Sequence, residues 1–295
     1  TYIRVFTPTD QYIKAYTNQF SQNLMLKPAA IWAGKKGIRK ALSYLAEQAT
    51  YRIDRKTTDT YPEQAYNPFL KSVLDTALVT LNSSFRNSVF FNQNDPVFGI
   101  DYNFQDIRGK SLLTTGFETR TNDFNEIRIR WNLNKIYGLI VTSDDGFKSN
   151  SSQNFSSRNY NLTYFLTEPK FTIQPSTKFR LTFNYKYAQK INSPEDGPET
   201  VFSNTLGAEV KYNIVSKGSI NAKLSLIQMR YNGSSESPVA YEMLDGLRAG
   251  KNATWTVGYQ RTLANNIQIS ISYDGRQSQG STTIHTGGAS VRAFF

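Results

Sequence analysis

Between Asn252 and Arg276 the chain alternates strictly. Ala253, Trp255, Val257 and Tyr259 share one parity, and Thr254, Thr256, Gly258 and Gln260 share the other. After a break at "LANN" the pattern restarts, with Ile267, Ile269, Ile271 and Tyr273 against Gln268, Ser270, Ser272 and Asp274. A period of two is the strand period, so this stretch predicts two long strands with one apolar face each. The pattern recurs upstream. Phe98, Ile100, Tyr102 and Phe104 share a face, as do Ile127, Ile129, Trp131 and Leu133. Phe179, Leu181, Phe183, Tyr185 and Tyr187 form another such face, and so do Leu206, Ala208, Val210, Tyr212 and Ile214.

The first 76 residues read differently. Ile38, Leu42 and Leu45 have helical spacing and predict a short amphipathic helix over Gly37–Glu47, with strands before it at "FSQNLMLKP" and after it at "ATYRIDRKT". Pro62 and Pro68 interrupt the segment that follows. Residues 1–76 are expected to supply N-terminal strands, a short helix and a periplasmic connection to a barrel whose main part is 77–295.

The connections carry a second signal. Tight turns are expected at "RGKS", "NLNK", "QPST", "VSKGS" and "LANN". Longer polar loops are expected at "NQNDP", "SNSSQNFSSR", "NSPEDGPET", "GSSESPVAYEMLDGLRAGK" and "GRQSQGSTTIHTGG", with "TRTND" as a short exception. Alternation of short and long connections is the habit of an up-and-down barrel in an outer membrane. Eleven strand residues tilted by about 40° rise about 27 Å, close to the ~25 Å apolar band of such barrels. The count is about 12 strands after Ala77 and about 14 in all, within a range of about 12 to 16. The expected fold is therefore all-β, a transmembrane antiparallel up-and-down barrel with its address in the cell outer membrane.

Composition sharpens this picture. Only 39% of the residues are hydrophobic, mean hydropathy is −0.49, and 14% are aromatic. No run approaches the ~18 apolar residues of a membrane helix, but a barrel hides its hydrophobicity in alternate positions. There are no cysteines, which excludes disulfides, thiolate metal sites and cysteine nucleophiles. The start "TYIRVFTPTD" lacks the marks of a signal peptide and reads as a mature or internal start. A net charge of +11 invites a nucleic-acid reading, but the basic residues recur singly on the polar parity of strands, so no nucleic-acid partner is expected.

If the apolar parity meets lipid, the polar parity lines the inside. The expected lining includes Arg128, Arg130, Lys178, Arg180, Lys186, Lys211, Lys223 and Arg292, with Asp101, Glu126 and Glu209 among them. This lining reads either as an anion-favouring pore or socket, or as a mosaic of cross-strand pairs that stiffens the wall. Trp131, Trp255, Tyr187, Tyr231 and Tyr273 are expected in interfacial girdles. Val291, Ala293 and the terminal Phe295 resemble the C-terminal signal used in barrel assembly. Tyr241, Leu244 and Leu247 are spaced for a short helix inside a long loop, expected to cover the barrel mouth or to touch a partner.

Chemistry is poorly represented. His285 is the single histidine, with Ser281 and Thr282 nearby in a loop, and a catalytic cluster is not expected there. "SDDGFKS" and the stretch around Glu195 and Asp196 read as solvated acidic loops, too short for a calcium-binding loop of the EF-hand kind. The sequons at Asn150, Asn154 and Asn232 read as polar loop composition. The chain is expected to be neither an enzyme nor a cofactor binder.

Several segments carry a resemblance: "YEMLDGLRAGKNATW", "YDGRQS", "IHTGGASVRAFF", "SSFRNSVFFN", "FGIDYNFQD", "SLLTTGFETR" and "QPSTKFRL". From about Gly37 onward the chain resembles the C-terminal region of large outer-membrane proteins of Bacteroidota. The resemblance implies a membrane-embedded barrel contacting lipid and lipopolysaccharide. It also implies a place beside large envelope assemblies, such as the type IX secretion translocon or the barrel-insertion complex, where the barrel serves as an anchor. It brings no active residues with it. The rival expectation is a channel for anionic solutes, and a further one is a soluble carbohydrate-binding module.

Overall fold

The computed structural model describes residues 13–58, 75–193, 197–214, 217–234, 237–264 and 266–293. Phe295, Glu195, Asp196 and the segment containing Pro62 and Pro68 lie outside the described residues.

Among the described residues thirteen antiparallel strands form one sheet in sequence order, each hydrogen-bonded to its neighbours in the chain. They are β1 (Tyr16–Leu26), β2 (Leu45–Thr57), β3 (Leu78–Phe91), β4 (Phe98–Leu113), β5 (Gly116–Asn132), β6 (Tyr137–Ser152) and β7 (Tyr160–Ile173). The rest are β8 (Phe179–Asn192), β9 (Glu199–Ile214), β10 (Gly218–Tyr231), β11 (Gly250–Ala264), β12 (Ile267–Ser278) and β13 (Ile284–Ala293). Two short helices, α1 (Ala29–Trp32) and α2 (Ile38–Ser43), join β1 to β2, and α3 (Pro238–Met243) lies between β10 and β11. The sheet is rolled: Arg52 of β2 and Tyr160 of β7 line one cavity.

Strands of 10 to 17 residues exceed the usual soluble length of about 5–6. Among the described residues one strand fewer is present after Ala77 than the sequence pattern suggests. "RGKS" is not a turn but the interior of β4, and "TRTND" is the interior of β5. The turn lies instead at Thr114 and Thr115, ending on Gly116 at φ 97, a left-handed conformation that glycine adopts without strain. The helix expected over Gly37–Glu47 stops at Ser43, and Leu45 begins β2.

The connections sort by end, with two corrections. At one end lie the α1–α2 segment, the connections at residues 92–97, 133–136 and 174–178, and residues 217 and 266. "NQNDP" therefore belongs to this turn end and not among the long loops. At the other end lie residues 58, 75–77, 114–115, 153–159, 193, 197–198, 232–234, 237–249 and 279–283. The loops here are shorter than their polar sequences suggested, because the strands continue into them. "SDDGFKS" is likewise part of β6, so Asp144 and Asp145 point to opposite faces and form no acidic loop.

The wall as a candidate functional site

Burial along β9 fixes the two faces. Val201, Ser203 and Gly207 are buried, whereas Phe202 and Leu206 are 38% and 60% exposed. Register carries this assignment around the sheet, because directly paired residues share a face. Opposite Glu209 stand Thr182 and Lys223, opposite Lys223 stands Thr256, and opposite Thr256 stands Asp274. These residues face inward. Their neighbours Phe183, Ala208, Val210, Ala222, Leu224, Val257 and Tyr273 face outward.

The outward face is an apolar belt. It runs through Ile100 and Tyr102, Ile127 and Ile129, Leu139 and Val141, Phe171, Leu181 and Phe183, Val210, Leu224, Val257, and Ile269 and Ile271. On β9 it extends from Leu206 to Ile214, about 20 Å at a tilt near 40°. Towards the long-loop end it stops abruptly, and the outward positions become Asp106 and Arg108 on β4, Asp123 on β5 and Asp145 on β6. Tyrosines mark that edge. The Tyr102 hydroxyl donates to Asn125 at 2.9 Å and that of Tyr185 to Asn204 at 2.5 Å, while Tyr273 and His285 share a hydrogen bond of 2.8 Å. Each ring lies on the belt and each hydroxyl meets a polar group beyond it, as expected of an amphipathic ring at a boundary.

His285 thus belongs to an outward aromatic cluster. It stacks on Tyr273 and leans on Trp255, with 6.0 Å between centroids in both cases. The Trp255 ring covers Gly275, where a Cβ would sit 2.0 Å from the indole. Trp131 and Tyr187 also face outward. Tyr231 does not: it shares the inward parity of Met229 and donates to Glu199 at 3.2 Å.

The inward face is charged. Of the expected lining, Arg128, Lys186, Lys223 and Arg292 stand on inward positions of β5, β8, β10 and β13. Lys211 faces inward and pairs with Glu209 two residues away at 2.7 Å. Arg120 with Glu118 and Lys170 with Glu168 make similar same-strand pairs. Arg180 and Arg130 turn towards the turn end. Arg180 donates to Gln174, and Arg130 donates to the carbonyls of Gln93 and Asp95, its guanidinium passing over Gly99. Lys178 lies in the 174–178 turn, outside the wall. Cross-strand links run mainly through amides: Ser88 donates to Asn103, and Asn103 to Glu126. Asp95 lies in the connection at the turn end. The N–H groups of Phe98 and Val97, with the Arg130 charge, hold its carboxyl below the usual range.

Residues 237–249 fold back over the inner wall. Ser237 caps α3 by accepting from the Ala240 N–H, and the left-handed Asp245 and Gly246 end it. Val239, Ala240, Met243 and Leu244 pack on Leu162 of β7, Val201 of β9 and Met229 of β10, and Met243 is 0% exposed. Leu247 joins this cluster, whereas Tyr241 points away and is 75% exposed. Ion pairs complete the docking: Lys148 to Glu242 at 3.2 Å and Lys190 to Asp245 at 2.6 Å. Lys148 and Glu242 line two inner cavities. One is of about 640 Å³, with Arg52, Asp54 and Arg120, and the other is of about 220 Å³, with Asp144 and Lys186. Their ion pair is part of the partition between the two. A further cavity of about 820 Å³ opens at the turn end beside Arg180, Glu209 and Lys211.

No family model matches the chain, and no curated protein matches its sequence. Among solved structures it is similar to the NanC porin, at 12% identity over 72% of this chain and 94% of that one, with a TM-score of 0.36. It is also similar to the KdgM porin, at 12% identity over 74% and 99%, with a TM-score of 0.26. A third is the translocator domain of the autotransporter NalP from Neisseria meningitidis, at 10% identity over 95% and 88%, with a TM-score of 0.30. At such scores the likeness carries no functional argument.

Proposed function

We propose that this chain is a β-barrel wall of the bacterial outer membrane, serving as membrane anchor and structural subunit of a multi-component envelope complex. The observation that carries this reading is the inversion of the wall: a continuous apolar belt outside and charged side chains inside. A soluble sheet buries its apolar face against a second layer. Here the apolar parity is the exposed one, and the polar parity lines the two cavities that Lys148 and Glu242 share. A bilayer is the solvent that suits such a wall. Docking of α3 inside the barrel supports an anchor over an open conduit, since the loop spends its apolar residues on obstructing the lumen. The exposed Tyr241 offers a contact for a partner at that mouth. The sequence resemblance points to secretion or barrel-insertion machinery as the complex.

The test is recovery of the tagged protein from native membranes in mild detergent, with mass spectrometry of what accompanies it. Stoichiometric recovery of large envelope proteins is expected. Recovery of the barrel alone would sink the anchor role. The second reading, a channel for anionic solutes, is favoured by one observation. Basic side chains outnumber acidic ones on the inner wall, and Arg128, Lys223 and Arg292 make no ion pair among the described residues. Anion-selective conductance in planar bilayers would establish it.

A further inference from the structure

Register stacks the outward side chains of β8–β12 into rungs. Tyr185, Leu206, Leu226, Ala253 and Gln277 form one rung, paired directly from strand to strand. Asn204, Gln228 and Lys251 form the next, one step nearer the long-loop end. Arg230 stands one outward step beyond Gln228. The face thus passes from apolar to amide to cation over a short height. Leu206 and Leu226 are 60% and 51% exposed. The first two rungs line a groove of about 680 Å³, edged by Gln279, which accepts from the Lys251 N–H at 2.9 Å.

Both cations are available to a ligand. Among the described residues, neither Arg230 nor Lys251 makes an ion pair or a side-chain hydrogen bond. They are diagonal neighbours on β10 and β11, about 7–8 Å apart at Cβ, and repel each other unless an anion lies between them. Among the described residues, the outward parity of β8–β12 carries no carboxylate. Beyond the belt on β4–β6 the outward positions carry Asp106, Asp123 and Asp145 instead. One side of the wall therefore favours an anion at the belt's edge and the other does not.

We infer that this groove holds a phosphorylated glycolipid of the outer leaflet. Its acyl chains lie on Leu206, Leu226 and Ala253, its sugar hydroxyls meet Asn204, Gln228 and Gln277, and its phosphate sits between Arg230 and Lys251. The inference rests on the membrane reading above, with the long-loop end outermost. The spacing fits such a molecule. From Leu226 to Arg230 the strand rises about 10 Å at a tilt near 40°, which carries the cations out of the hydrocarbon and into the headgroup layer. The Arg230 guanidinium has the planar fork that suits a phosphate. A plain phospholipid uses the cations and the apolar floor but leaves the amide rung without hydroxyls to pair with.

Native mass spectrometry of the full-length protein, delipidated in detergent and titrated with lipid A, measures the site. The parent is expected to bind lipid A in preference to phosphatidylglycerol. Replacing both cations, Arg230→Gln with Lys251→Gln, is expected to weaken lipid A binding about tenfold or more. Lipid A stripped of its phosphates should bind the parent as weakly as intact lipid A binds the double variant. Arg261→Gln removes an outward cation at the turn end and should leave binding unchanged. Neither Arg230 nor Lys251 ties its side chain to the wall, so the double variant keeps its fold, which heat-modified gel mobility checks. Equal affinity of parent and double variant would overturn the inference, as would an equal loss in Arg261→Gln. Phosphatidylglycerol bound as tightly as lipid A would overturn the choice of a glycolipid. Carbonate washing of native membranes tests the membrane reading apart. Release of the protein by that wash removes the bilayer argument, whereas retention without any preference for lipid A sinks the groove alone.

Discussion

Leu224 sits near the middle of the belt on β10, paired with Ala208 and Trp255 and 45% exposed. Replacing it with Arg separates lipid from water as the medium outside the wall. In water, an arginine at a half-exposed strand position changes stability by about 0.5 kcal/mol or less. In a bilayer, arginine on the lipid face near the midplane costs about 2–4 kcal/mol. The control is Ser272→Arg, an inward and exposed position flanked by Gly258 and Gly288, where the long side chain has room and a wet lumen solvates it. Denaturant titration of both variants in lipid vesicles, by tryptophan fluorescence, gives the difference through linear extrapolation. With a slope of about 3 kcal/mol per molar, the Leu224→Arg midpoint falls by about 1 M and the Ser272→Arg midpoint by less than about 0.2 M. Equal shifts for the two variants would refute the assignment of faces.

Other outcomes follow from the same geometry. Met243→Asp places a carboxylate in a fully buried pocket, so α3 is expected to undock; single-channel conductance should rise while folding of the wall is retained. Gly275→Val drives a side chain into the Trp255 ring, which is expected to lower stability by about 1–3 kcal/mol and shift the tryptophan emission. Asp95 has a depressed folded-state pKa, so its charge stabilises the turn end above the unfolded carboxylate value of about 3.9. That contribution is lost as pH falls through the lower folded value. Asp95→Asn should therefore be less stable than the parent at pH 7, with the gap closing below about pH 4.

The belt was legible in the sequence because period two survives wherever one face meets an apolar medium. It fails where the strands leave the belt. In β4, Asp106, Arg108 and Lys110 face outward beyond the belt while Gln105, Ile107 and Gly109 face inward, so the outward parity turns polar and Gly109 reads as turn punctuation. Backbone ladders and local ion pairs such as Arg108 with Asp106 hold such segments as strand. The same wetness on both faces made Asp144–Ser149 look like a loop. Tyr231 was misplaced for the opposite reason: the inner wall near Leu162, Val201 and Met229 is apolar because α3 covers it. Tyr241, Leu244 and Leu247 announced a helix, but α3 ends at Met243, with Leu244 as its cap and Leu247 beyond it, and its seat on β7, β9 and β10 is a long-range contact that no local spacing encodes. The inward basic residues followed from parity. Their partners did not, since Arg130 and Arg180 turn to carbonyl and amide oxygens at the turn end.

The central claim is that one parity of each strand meets lipid and the other meets water. With no native cysteines, single cysteines along Ile267–Asp274 can each carry a spin label in reconstituted vesicles. Collision rates with oxygen, which partitions into lipid, and with a water-soluble nickel chelate are then measured at every position. The account predicts oxygen maxima at Ile269, Ile271 and Tyr273 and nickel maxima at Gln268, Ser270 and Ser272, the two series out of phase with period two. Series that rise and fall together, or high nickel access at Ile269 and Ile271, would contradict it.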